Sequence, residues 1–246
     1  YREGGAHRVL EQIANATNPN KIMAIPDLRS YVKLIVRTKD LMRTEFANYV
    51  YTTCYKSIEQ RLLAMSVDEL KSEDRNIVGE LLHFLTTLVP YAAADMAELQ
   101  RLRLDVDLNY LLRCPVLEKR LANLNDIREL CVDAMKYRAE MKNKQIHTPD
   151  PSYDVDPSML VNWLREKQLV EYMFGKSMHP EIVRRSHEVL QFLASEDAIT
   201  PALIDLIWDS QKDKHESTVH LIWLALVPLA RGLTRKELMD YLWEKM

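Results

Sequence analysis

Between residues 156 and 231 the chain carries prolines where helices would begin, at Pro157, Pro180 and Pro201. Proline has no amide hydrogen and a φ already near the helical value, so it suits the first turn of a helix and disrupts the middle. Asp156 and Thr200 stand immediately before two of these prolines, and their side-chain oxygens predict N-caps there. A fourth helix is expected after the polar segment 211–216. The helix after Pro180 reads as one-sided, with Ile182, Val183, Val189, Leu190 and Leu193 on one stripe and Arg184, Arg185, Glu188 and Gln191 on the other. Residues 219–230 are apolar almost all round, which predicts a helix covered on two sides. That run is too short, and too interrupted at Pro228, to span a bilayer. Helices of both kinds, at intervals of roughly 20 to 25 residues, suit a stacked helical-repeat array in which each hairpin hides its face against the next.

The rest of the chain obeys the same rhythm. Five glycines in 246 residues leave little room for tight hairpins or glycine-rich phosphate loops, and good helix formers abound, so an all-α chain is expected. Residues 7–16 carry Val9, Leu10 and Ile13 at helical spacing, and residues 26–65 form a long, two-part helical pattern that includes Phe46, Val50, Cys54, Ile58 and Leu62. Residues 66–72 read as a connector, with Ser72 capping a helix over about 73–88. Pro90 is expected to open the next helix, residues 105–112 to form a short one, and Pro115 to start a long one ending near Met141. No literal self-similarity accompanies this pattern. Residues 143–156, with Pro149 and Pro151, predict a linker or exposed loop between array halves 1–142 and 157–246.

The run His179-Pro-Glu-Ile-Val-Arg-Arg-Ser-His187-Glu-Val-Leu-Gln-Phe-Leu193 carries a resemblance, together with Ile199-Thr-Pro-Ala-Leu-Ile-Asp205-Leu-Ile-Trp208-Asp-Ser-Gln211 and Lys214-His-Glu216. With Leu117-Glu-Lys-Arg-Leu121 and Leu124-Asn-Asp-Ile127 upstream, it resembles the non-catalytic helical region of the very large ubiquitin-specific proteases of the fat-facets class. The resemblance extends from about Pro115 to Ala230. It implies an armadillo/HEAT-like superhelical arm of a deubiquitinase that lies away from the cysteine-protease domain and holds ubiquitinated substrates or regulators. The expected partners are therefore proteins, with no cofactor and no small-molecule ligand. A purely structural spacer between other domains is the alternative.

Charge and cysteine usage set further expectations. A formal charge of −3 and a pI near 6.2 give no general attraction to nucleic acid. Cys54, Cys114 and Cys131 are odd in number and unpaired in spacing, which predicts a reducing compartment, cytoplasm or nucleus. The chain starts at Tyr1 and stops at Met246 within an amphipathic pattern, so it is expected to be part of something longer.

Candidate chemistry gives way at each point to a simpler reading. Thr53-Cys54-Tyr55 echoes a protease nucleophile box but lacks the upstream glycines and asparagine, so a buried helix cysteine is expected. His179 with His187, and His215 with His220, miss the i, i+4 spacing of metal ligands, and no metal is expected. His187 and His220 are expected to pack at helix boundaries or bond a backbone carbonyl. Asp205 and Asp209 read as the wet face of a helix whose dry face carries Leu203, Ile207 and Trp208. Trp163, Trp208, Trp223 and Trp243 read as core rather than as an aromatic groove. Arg101 with Arg103, and Arg184 with Arg185, are short basic clusters balanced by Asp105, Asp107, Glu181 and Glu188. If a patch binds a partner, Arg184 and Arg185 are the candidates.

Overall fold

The computed structural model describes residues 44–72, 75–92, 94–144, 156–176 and 178–245. Their regular structure is helical: α1 Thr44–Leu63, α2 Val67–Ser72, α3 Arg75–Ala92, α4 Met96–Arg113, α5 Leu117–Lys144, α6 Pro157–Glu166, α7 Leu169–Phe174, α8 Pro180–Val183, α9 His187–Ser195, α10 Pro201–Asp209, α11 Glu216–Gly232 and α12 Lys236–Lys245. The helix expected over 7–16, the first part of that expected over 26–65, and residues 145–155 of the expected linker lie outside the described residues. Two compact units result, Tyr1–Arg120 and Leu121–Met246, with the division falling inside α5.

In the first unit α1 lies along α3, and both meet α4. The interior is built from Ile58, Leu62, Leu81, Phe84, Leu85, Leu88 and Tyr110, all essentially without solvent exposure. Asp95 caps α4 by accepting from the Ala97 amide at 2.8 Å. Ser66 and Glu69 form a reciprocal capping box at the start of α2: the Ser66 amide donates to Glu69 Oε2 at 2.8 Å, and the Glu69 amide donates to Ser66 Oγ at 3.3 Å. At the other end of α2 the Lys119 ammonium donates to the carbonyls of Leu70 and Lys71, at 3.2 and 2.9 Å, meeting acceptors that the helix itself leaves open.

Three local expectations are corrected here. Ser72 is the last residue of α2, whose own start is capped by Ser66, instead of the cap of the next helix. Pro90 lies inside α3. It stands two residues from the helix end and removes one ladder bond, the one to the carbonyl a turn earlier; Thr86 and Thr87 in that turn bring their hydroxyls back onto the Leu82 and His83 carbonyls. Residues 105–112 are the second half of the single helix α4.

In the second unit the prolines mark helix starts as predicted. Asp156 accepts from the Ser158 amide at 3.1 Å and Thr200 from the Leu203 amide at 3.3 Å, each with proline at the first helical position. Two helices divide further than periodicity suggested. Gln168, at φ 52°, turns the chain left-handed and separates α7 from α6. The helix after Pro180 stops after one turn, because the buried Ser186 gives its hydroxyl to the Val183 carbonyl at 2.8 Å and α9 begins anew at His187.

The most extensive packing in this unit joins α9 to α11. Val189, Leu190, Phe192 and Leu193 of α9, and Ile222, Ala225, Leu226 and Leu229 of α11, are buried. Gly232 permits the close approach, since a Cβ there would stand 2.8 Å from the Ala194 Cβ and 3.1 Å from the Gln191 carbonyl oxygen. Two readings of α11 change. It runs through Pro228, and it is covered on one side only, with Leu224 and Val227 about half exposed.

Candidate functional site

The corner between α8 and α9 is assembled from short-range features. His179 caps α8, its Nδ1 accepting from the Glu181 amide at 3.2 Å. The chain then tightens through i→i+3 bonds, Arg185 N–H to the Ile182 carbonyl at 3.0 Å and Ser186 N–H to the Val183 carbonyl at 3.1 Å. Arg184 and Arg185 occupy this turn. One carboxylate holds both: Arg185 donates to Glu181 Oε2 at 2.8 Å, and Arg184 lies 3.1 Å from Glu181 Oε1. The hydrogen bond from Arg185, followed by the nearby charge of Arg184, keeps the Glu181 carboxyl below its usual range. Two guanidinium charges against one carboxylate leave a positive corner, and Arg184 is 59% exposed in its side chain.

Glu188, expected to balance these arginines, turns elsewhere. The Arg128 guanidinium on α5 takes its carboxylate bidentately, Nε to Oε2 at 2.8 Å and Nη2 to Oε1, and also donates to Asn125 at 2.8 Å. Burial pushes the Glu188 carboxyl up, but the Arg128 hydrogen bond and nearby charges outweigh it, so the group titrates below its ordinary value. A second tie repeats the pattern, Arg138 gripping Glu196 through two bonds of 3.1 Å. Both ties run in the same sense along the chain, so α5 and α9 point the same way, the relation expected of corresponding helices in neighbouring repeats. Sequence reasoning missed these arginines because their partners lie 60 and 58 residues away.

Other singled-out residues fall into ordinary structural roles. Cys54 and Cys131 are fully buried, and burial pushes the Cys54 thiol up to about 12, the reverse of an activated nucleophile. Cys114 is buried too, and all three cysteines are free. The capping histidines are His179 and His215, whereas His187 meets the Glu188 carboxylate at 3.0 Å and His220 is exposed. Asp209 pairs with Lys212 at 2.9 Å. Asp205 accepts from the Tyr241 hydroxyl at 2.8 Å and pairs with Lys245 at 2.5 Å, both on α12.

The tryptophans separate. Trp163 is core, Trp208 and Trp223 meet edge to face at 5.3 Å, and Trp243 is 64% exposed. Asp107 is buried rather than part of a solvated face with Arg101 and Arg103. Among the described residues, no group of three or more His, Cys, Asp or Glu side chains could hold a metal ion. No described helix is long and apolar enough to cross a membrane.

Stacked helices, short connectors and like-directed neighbours define an armadillo-type helical repeat. The family model described as UBP24/USP9X/USP9Y ARM repeat matches residues 97–246, and the chain belongs to that family. It is 31% identical over 118 residues to the ubiquitin carboxyl-terminal hydrolase puf of Drosophila melanogaster, covering 48% of this chain and 3% of the relative. It is 29% identical over 125 residues to human ubiquitin carboxyl-terminal hydrolase 34, covering 50% of this chain and 3% of the relative. With mouse ubiquitin carboxyl-terminal hydrolase 9Y the identity is 22% over 190 residues, 77% of this chain and 7% of the relative. The chain thus spans a small fraction of these relatives' length. No solved structure matches it significantly.

Proposed function

We propose that this segment is a non-catalytic binding arm of a large deubiquitinase, holding ubiquitinated substrates or regulators near a distant cysteine-protease domain. The carrying observation is the Arg184–Arg185 corner, an exposed positive turn fixed by Glu181 and suited to acidic groups on a protein partner. Recruitment of this kind raises effective concentration at the catalytic domain without any new catalytic contact. The buried, upshifted Cys54 thiol supports a role other than cleavage. Three buried free thiols also suit a reducing compartment, cytoplasm or nucleus.

The test is capture by the immobilised 246-residue chain from cell extract, with purified ubiquitin and ubiquitin chains assayed separately. A partner held by the wild type and lost in the double variant Arg184→Glu/Arg185→Glu is the expected result. Capture indifferent to charge reversal removes the corner from the reading. Ubiquitin-chain cleavage that disappears with Cys54→Ala overturns the reading altogether. A second reading, a structural spacer, draws on the Arg128–Glu188 and Arg138–Glu196 ties, which fix helix orientation whether or not a partner binds.

A further inference from the structure

The first unit carries an open groove of about 540 Å³ between α1 and α4, unrelated to the Arg184–Arg185 corner. Tyr51 and Tyr55, one turn apart on α1, stack in it with ring centroids 5.6 Å apart and planes 27° from parallel. The Tyr55 hydroxyl donates to the Glu98 carbonyl at 3.2 Å, which fixes that ring and leaves it half-buried beside the groove. Tyr51 is only 7% exposed, and its hydroxyl is buried with no hydrogen-bond partner among the described residues. A buried hydroxyl left unpaired is unfavourable, so a group that pairs with it gains on binding.

Charge around the groove selects that group. Glu59 on α1 and Glu98 on α4 line it, and neither lies within ion-pair distance of a cation among the described residues. Asp105, Lys56 and Arg101 complete the lining, so three carboxylates stand against two cations. Burial, then Glu98 and Asp95, push the Tyr51 phenol up to about 12; burial, then Glu59, push Tyr55 up further. The negative surroundings that oppose a phenolate favour a cation. A guanidinium fits best: it is planar, stacks on an aromatic face and directs several N–H donors outward in its plane. The groove is open along the helices, so a free small cation would leave much of its surface in water. A polypeptide carrying the cation would also cover the helix faces.

We propose that the α1–α4 groove docks an arginine-bearing segment of a protein partner, its guanidinium against Tyr55, donating to Glu59, Glu98 and the Tyr51 oxygen. The site takes the opposite charge from the Arg184–Arg185 corner and stands or falls separately from it.

The test is fluorescence polarisation of a labelled Gly-Ser-Arg-Gly-Ser-Arg-Gly-Ser peptide with the full 246-residue chain, against counterparts carrying lysine or glutamate in place of arginine. Expected is saturable binding in the order arginine, lysine, glutamate, weakening with salt and falling about tenfold in Glu59→Gln/Glu98→Gln. Tyr51→Phe, which keeps the ring and removes only the oxygen, is expected to weaken binding several-fold, while Arg184→Glu/Arg185→Glu leaves it unchanged. Circular dichroism confirms that each variant is folded. The proposal is overturned by no saturable binding, by equal binding of the glutamate peptide, by indifference to Glu59→Gln/Glu98→Gln, or by loss in the Arg184→Glu/Arg185→Glu variant.

Discussion

Gly232 of α11 lies against Ala194 of α9, near enough that a Cβ on the glycine would stand 2.8 Å from the alanine Cβ. Neither neighbour can swing away, because one is a methyl group and the other is the Gln191 backbone. Gly232→Val is therefore expected to force the helices apart and destabilise the second unit by about 2 kcal/mol, within the usual range for overpacking. The check is the midpoint of denaturant unfolding at unchanged slope; a neutral substitution would show that α9 and α11 have room to spare.

The Arg128–Glu188 pair gives a pH signature. Its side chains are 25% and 15% exposed, so removing one charge strands the other in partly buried surroundings. Glu188→Gln should cost roughly 1–3 kcal/mol at neutral pH. The folded-state carboxyl titrates below its ordinary value of 4.5, so the contribution is fully present above that value and fades as pH falls through the lower, folded one. Wild type and variant should thus converge in stability on acidification below about pH 4.5. A gap that persists or widens there would contradict the assignment.

Helix capping separates two serines six residues apart. Ser66→Ala removes the acceptor for the Glu69 amide and should cost about 1 kcal/mol. Ser72→Ala, at the exposed end of α2, should stay within about 0.5 kcal/mol. Thermal unfolding of both variants decides, and the reverse ranking would restore Ser72 as a cap.

Thiol chemistry should be silent until the chain opens. With Cys54, Cys114 and Cys131 all buried, a disulfide reagent at neutral pH should label none of them in the native state and all three in denaturant. Rapid native labelling of Cys54 would place its thiol at the surface.

Helix starts were legible where one local device suffices, as at Pro157 and Pro201 with their oxygen-bearing neighbours. Pro90 and Pro228 show the limit of the same signal. Each removes a single ladder bond that the packing of its helix tolerates, so the residue type alone does not declare whether it opens a helix or lies inside one. The break at Ser186 depends on a side chain turning onto the preceding carbonyl, and residue type alone does not decide that choice. Within the candidate site, Glu181 could be paired with Arg184 and Arg185 from spacing alone, since all three lie within one turn. The partner of Glu188 could not, because α5 is brought beside it only by the fold.

The two ties from α5 also have a mechanical meaning. Arg128 and Arg138 lie about 15 Å apart along their helix, at 1.5 Å rise per residue, and both reach toward a neighbour running the same way. Tension that slides α5 along α9 would load both rungs together, as in shear, instead of peeling them open one after the other. A pulling experiment on the second unit should then show a single rupture that drops in force when either arginine is replaced by methionine. Joined in this way, α5 and α9 would act less like a flexible tether than like a stiff coupling that carries force along the second unit.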